Sequence, residues 1–477
     1  MRNTIVKIVL AALCLMLFPQ FQNAQNVEVK GNSKEFAGEE LVVYQYADLI
    51  TYQEKELVRF KVEANGDFKF NFFNDQINFI YIPLGIYKGY FFAEPGKSYE
   101  VILPERKDKT TAQILNPYFS EEYLHLGITG VDSTSLNYQI AIYDSRFNRE
   151  LMFVMESLKE HKGQHVVDSS FSILEEQFKW SDIEYFNEYK SGKLAFFKFI
   201  SSQMRAKKVA KDQISNHPVL FANTAYMELF NQVFKNYFMY HVRTKDGKQL
   251  AIDVATKDYQ GLKKTLNQNP LIKNDTIKEL VILKSLYDEF YADNFSRASM
   301  LALLDSLYFN SKVPENQLIA QNIRQQVTHL LHGFYPPVFE LKDKDGNLIS
   351  LDKFKGKYVY INFAHSQSYT CLKDFELLKQ IYERQKENLE IVSICIDDNP
   401  EDLWFFSEQN QYDWIFLHYG NEPAVIKEFD IRVFPTYFLV NREGKLQMSL
   451  APSPGENFEQ KFNFLLREEY LNKVDSN

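Results

Sequence analysis

The sequence predicts a multidomain α+β chain: an N-terminal antiparallel β sandwich, a central all-α block and a C-terminal α/β domain. Three observations carry that prediction. Apolar and polar residues alternate with period two within residues 26–112, and apolar residues recur at helical spacing within 113–334. Strand and helix patterns then alternate through 335–477. At 477 residues the chain exceeds one ordinary domain, and 45% hydrophobic content suffices for packed cores and argues against disorder. The formal net charge is −9 and Lys and Arg form no long cluster, which argues against nucleic acid and acidic lipid surfaces as partners.

Residues 1–25 read as a cleavable export signal. Arg2 and Lys7 precede an apolar run from Ile8 to Phe18, far short of the roughly 20 residues of a spanning helix. Cleavage is expected near Ala24 or Gln25, although Gln22 or Asn23 is an imperfect −3 residue. Cys14 follows Leu13 inside the run, a poor context for lipid attachment. The expected location is the periplasm or outer cell envelope. Of three cysteines, Cys371 and Cys395 then remain, too few for a disulfide scaffold.

In the β region, Phe60, Val62, Phe68 and Phe70 alternate with polar residues around Asn65-Gly66, a favoured two-residue hairpin turn. A second hairpin is expected across Pro95-Gly96. In the helical block, Tyr226, Leu229, Phe230, Val233 and Tyr237 share one helical face. Leu280, Leu283, Tyr287, Phe290 and Tyr291 share another, after the capping-box spacing of Thr276 and Glu279. Pro314 opens a last helix carrying Ile319, Ile323, Val327 and Leu330, and Gly333 closes it. Such stripes are read as core.

The C-terminal block begins with a hairpin signal at Asp345-Gly346. Strands are predicted at 358–363, 389–396, 414–418, 436–440 and 446–450, and helices at 371–388, 401–409, 422–429 and 458–470. Gly356-Lys357-Tyr358-Val359-Tyr360-Ile361-Asn362-Phe363 resembles the first core strand of thioredoxin-like proteins of the TlpA/ResA type, and Val433-Phe434-Pro435-Thr436 resembles their cis-proline segment. The resemblance covers about 335–470 and implies a thioredoxin-like fold of redox origin. The whole arrangement, β module of unknown function, helical block and then thioredoxin-like domain, also resembles a group of exported bacterial proteins.

The family pattern Phe-Trp-Ala-Ser/Thr-Trp-Cys-x-x-Cys falls on residues 363–371. Phe363 and Ser366 match, Ala364, His365 and Gln367 depart, Ser368 stands at the first cysteine and Cys371 at the second. The resemblance thus implies a degenerate Ser-x-x-Cys site, because a hydroxyl cannot make the thiolate attack that begins dithiol exchange. Ser368 is expected as an N-cap whose oxygen accepts an amide proton. Cys371 is expected to be an inert buried thiol, with a helix-activated thiolate as the competing reading. Cys395 is read as a small buried hydrophobe, with a bridge to Cys371 disfavoured.

A peroxiredoxin resemblance, Pro-x-x-x-Thr/Ser-x-x-Cys, fits Ser368 and Cys371, but Ala364 takes the Pro position and Pro435 the place of the needed arginine, with Arg432 out of register. His365 is a candidate base for Cys371. His161/His165 and His329/His332 have helical ligand spacing without supporting carboxylates, so no metal site is expected. No phosphate loop, Gly-x-Ser-x-Gly or carboxylate pair implies a cofactor. Phe434, Pro435, Tyr369 and His365 are the candidate groove for a polypeptide or envelope protein partner. The alternative is a single-cysteine oxidoreductase or peroxidase using Cys371.

Overall fold

A computed structural model of the chain describes residues 25–475 apart from 115, 117–118, 161–163, 179–180, 202–210, 216, 245–246, 270, 293 and 421–422. The expected export signal lies outside the described residues except for Gln25, and so does His161 of the first histidine pair. The chain divides into two compact units. One comprises the residues up to Asp108 with Glu121–Ile323, the other Lys109–Ser120 with the residues from Arg324 on.

The first unit holds strands β1 (Gln25–Asn32), β2 (Glu40–Tyr46), β3 (Glu54–Lys61), β4 (Asp67–Asn74), β5 (Asn78–Leu84), β6 (Tyr87–Ala93), β7 (Ser98–Ile102), β8 (Glu122–His125) and β9 (Gly127–Ile128). They form two sheets, ordered β4-β1-β7-β9 and β3-β2-β5-β6-β8. Val29, Phe70, Ile82 and Phe91 belong to the core they share. Burial in β4 alternates strictly, as period-two patterning requires.

Pairing differs from expectation in two respects. Gly66 and Gly96 adopt φ of 91° and 73° in tight turns, but neither turn closes a hairpin. β3 pairs with β2 and β4 with β1, so the Asn65-Gly66 turn carries the chain from one sheet to the other. The Pro95-Gly96 turn does the same between β6 and β7. Alternation fixes which side of a strand meets the core, not which strand lies beside it. The sandwich is also not wholly antiparallel: β1 with β7 and β6 with β8 run parallel, because the chain changes sheets instead of doubling back.

The helices pack on the other face of the five-stranded sheet. Phe92 joins Ile140, Tyr143, Phe186 and Phe197 from the helices Leu136–Lys159 and Glu184–Ser201 in one core. The Asn137 side chain accepts from the Phe92 N–H and donates to the Phe92 carbonyl, both at 2.8 Å. The helix Thr224–Val233 buries Tyr226, Leu229 and Phe230 as expected, but Asn236 at φ 51° interrupts the stripe and Tyr237 opens a separate short helix. Pro314 opens the helix Pro314–Thr328. It stops short of Gly333, which has φ 84°.

The capping box at Thr276 is not formed. Asn274 caps the helix Asp275–Glu289, accepting from the Ile277 N–H at 2.9 Å. Glu279 is instead buried and accepts from the hydroxyls of Tyr259 and Ser311 at 2.5 Å, the Asn316 amide at 3.2 Å and the Lys263 ammonium at 3.0 Å. Burial pushes its carboxyl up, but these bonds outweigh it and hold the carboxyl below its ordinary value.

In the second unit β10 (Leu341–Lys342) and β11 (Leu348–Ile349) pair across Asp345-Gly346 as predicted. β12 (Tyr358–Ala364), β13 (Leu389–Cys395), β14 (Ile415–His418), β15 (Thr436–Val440) and β16 (Leu446–Ser449) form one sheet, ordered β14-β13-β12-β15-β16. The first three run parallel and the last two antiparallel. The helices Tyr369–Gln385, Pro400–Gln409, Pro423–Glu428 and Phe458–Asp475 connect and follow them. Separate cores lie on the two faces, so every residue of β12 is buried. Among the described residues no helix is long and apolar enough to cross a membrane.

Replacing Glu279 with Ala removes the acceptor shared by Tyr259, Ser311, Asn316 and Lys263, of which Lys263 keeps Asp275 at 2.8 Å, and the expected loss is about 1–3 kcal/mol, read from urea unfolding. Because the folded pKa lies below the unfolded value of about 4.3, the Glu279 contribution is complete above that pH. It is lost as pH falls through the folded value, so the difference between wild type and variant should shrink in acid.

Candidate functional site

The site forms where β12 leaves the sheet. The backbone turns at once, the Ser368 N–H donating to the His365 carbonyl at 3.1 Å, and Tyr369 opens the next helix. The turn is fixed by a carboxylate that sequence reading missed. Asp397, just beyond β13, is buried and accepts from the Ser366 backbone N–H at 3.2 Å and from the Ser366 hydroxyl. Its own carbonyl accepts from Nε2 of His418, the last residue of β14, at 2.7 Å. One signal was available: Asp397-Asp398 ends an apolar strand at the carboxyl edge of a parallel sheet, where α/β sites collect.

Ser368 occupies the N-cap with φ −77° and ψ 124°, yet its hydroxyl makes no capping bond, contrary to expectation. That hydroxyl meets the Cys371 thiol instead. The spacing explains this: one helical turn brings residue 371 back beneath residue 368.

Cys371 is 1% exposed and packs with Tyr360, Ala364, Phe375 and Cys395. Burial pushes its thiol pKa up, and the carboxylates of Asp374 and Asp397 push the same way. The Ser368 hydroxyl and the His365 backbone oppose them, and the net shift is upward. Cys395 is fully buried and its thiol lies well above the ordinary value for the same reason; both cysteines are free. Asp374, also missed, accepts from the Tyr437 hydroxyl at 2.7 Å, and Tyr437 stacks on Tyr360 with centroids 5.2 Å apart.

His365 does not act on the thiol through its ring. Its Nδ1 accepts from the Gln367 N–H at 3.1 Å and lies 3.5 Å from Asp397. The Phe434–Pro435 bond is cis, as the resemblance implied. Thr436 pairs with Phe363 and its hydroxyl donates to the Val433 carbonyl at 2.6 Å, placing the Val433–Pro435 turn at the edge where the 365–368 turn lies. There Tyr369 is 83% and Val433 66% exposed, while Phe434 and Pro435 are half-buried and Phe434 packs against the cores of both sheet faces. Arg432 bonds Asp430 at 3.0–3.1 Å. His329 and His332 each meet a different backbone carbonyl, those of Gln326 and Gln447.

Three parallel and two antiparallel strands, flanking helices and a cis-proline beside the first helix define a thioredoxin-like domain. Residues 332–459 match the Redoxin family. Thiol-disulfide oxidoreductase ResA of Bacillus thuringiensis subsp. konkukian is 30% identical over 146 residues, 30% of this chain and 78% of that protein. Chloroplastic peroxiredoxin Q of Populus jackii is 32% identical over 120 residues, 25% of this chain and 50% of that protein. A solved thioredoxin domain of a thiol-disulfide oxidoreductase from Bacteroides vulgatus is 26% identical, with 28% of this chain and 98% of that one covered and a TM-score of 0.27. Through its C-terminal domain the chain belongs to the ResA/TlpA-type thiol-disulfide oxidoreductase family.

Changing Asp397 to Ala leaves the Ser366 N–H and hydroxyl without their acceptor, at an expected cost of about 1–3 kcal/mol in urea unfolding. In a Cys395→Ala background, native Cys371 should alkylate slowly, with a pH midpoint above the ordinary thiol value of about 8.5. A midpoint below that value would refute this description of the thiol.

Proposed function

We propose that the C-terminal domain binds an extended polypeptide, or an envelope protein presenting one, with little or no dithiol exchange. The burial of Cys371 carries this reading: its thiol is shifted away from the thiolate and faces a serine hydroxyl where the family places a second thiol. Exchange begins with an accessible low-pKa thiolate, and Ser368 cannot supply one. The residues around the cis-proline turn support the binding reading. Tyr369 and Val433 are exposed, and His365, Phe434 and Pro435 lie between them and the core. An extended chain can add its backbone beside such an edge and seat alternate side chains against the rings. The basic and apolar N-terminal segment supports export to the periplasm or outer envelope.

The likeness to peroxiredoxin Q favours a second reading, in which Cys371 works alone as a single-cysteine oxidoreductase or peroxidase. Two variants separate the readings. After selection of a cysteine-free peptide that binds wild type, Phe434→Ala should weaken its binding by about tenfold or more, by fluorescence anisotropy, with circular dichroism unchanged. Cys371→Ser should bind it as wild type does. Peroxide or mixed-disulfide turnover that Cys371→Ser abolishes would instead establish the second reading.

A further inference from the structure

Within the first unit a cleft of about 600 Å³ opens where β2 and β5 part. These strands pair at Tyr44–Tyr81 and Gln45–Ile80 and no further toward that end. Tyr46 and Phe79 lie beyond the last pair, their rings stacked with centroids 6.1 Å apart and 8° between planes, and both line the cleft with Phe221. The volume suits a small ligand or a single peptide side chain with its neighbours.

The polar groups lining the cleft fall into two sets. Asp48 is satisfied by the N–H groups of Ile50 and Thr51, the Thr51 hydroxyl and the Asn322 amide. Glu54 holds the Lys88 ammonium at 2.9 Å. Asp75 and Glu315, by contrast, have no ion pair or hydrogen bond among the described residues, and Gln53 Oε1 is buried with no donor. Gln53 Oε1 is the buried acceptor of this set, and Asp75 and Glu315 are carboxylates exposed at the rim. Lys55 is the one basic residue of the lining, against four carboxylates. The ring cluster already tolerates a cation, since the Lys88 ammonium lies 5.9 Å from the Tyr46 centroid and 4.7 Å from that of Tyr81.

We propose that this cleft binds an organic cation, an ammonium or guanidinium group on an apolar stem. Such groups donate hydrogen bonds and accept none, which suits the buried Gln53 oxygen and the rim carboxylates of Asp75 and Glu315. They are attracted to ring faces, and the stem packs against Leu49, Met227 and Ile319. The excess of carboxylates disfavours phosphates, nucleotides and acidic sugars. The site shares no residue with the thioredoxin-like domain, and it stands or falls independently of the function proposed there.

The test is calorimetric titration of the full chain with agmatine and with acetyl-Leu-Arg-amide, using acetyl-Leu-citrulline-amide as the uncharged control. At least one cationic probe should saturate and bind about tenfold more tightly than the control. Asp75→Asn combined with Glu315→Gln should remove that advantage. Both residues are exposed at the rim, so the melting temperature should not move. Agmatine binding alone assigns a free small cation, and binding of the peptide alone assigns a basic polypeptide. No saturable binding, equal affinity for arginine and citrulline, or an unaffected double variant would overturn the proposal.

Discussion

Asp397 ties the turn after β12 to the ends of β13 and β14, neighbouring strands already paired along their length. It receives the turn after β12 through Ser366, stands at the exit of β13, and holds the end of β14 through its own carbonyl. A buried carboxylate is tolerated only when its acceptor capacity is filled, and here the site loop fills it. That tie holds Ser366, and the bond from the Ser368 N–H to the His365 carbonyl closes the turn beside it. The turn cannot swing outward without unmaking these bonds, so the Ser368 hydroxyl and the Cys371 sulfur stay pressed together beneath the first helical turn.

That arrangement decides the electrostatics of the thiol. A helix N-terminus ordinarily favours a thiolate. At Cys371 the desolvation of a closed core and two nearby carboxylates, Asp374 and Asp397, act in the opposite sense and prevail. The same core holds Tyr437 and Tyr360 in a stack beneath the cis-proline turn. The edge thus has a packed aromatic layer below it and the exposed Tyr369 ring upon it.

Much of the C-terminal domain was legible in the sequence, because alternating apolar strands and capped helices leave local signatures. The strand at 358–363, the helix from Pro400 and the turn at Asp345-Gly346 all lie where patterning puts them. What was not legible involved partners distant in sequence. Asn65-Gly66 announces a reversal but cannot say that β3 and β4 belong to different sheets. Glu279 has cap spacing, yet Ser311 and Asn316, 32 and 37 residues away, claim its oxygens. At the site, Ser368, Cys371 and Pro435 were found through motif spacing. Asp397 and Asp374 were missed because burial of a carboxylate depends on tertiary packing that spacing does not encode.

The edge strands β8 and β9 carry a last consequence. Each is short, and each lies beyond the stretch whose composition looks like a finished β module. Yet β8 covers the open side of β6, and β9 that of β7. A fragment cut at residue 112 would bare both flanks and uncover Phe92, which the helices and Asn137 normally shield. Unpaired strand flanks beside an exposed ring are an association hazard, so such a fragment is expected to self-associate where the whole chain is not. The helical block thus completes the burial of its own sandwich through Phe92.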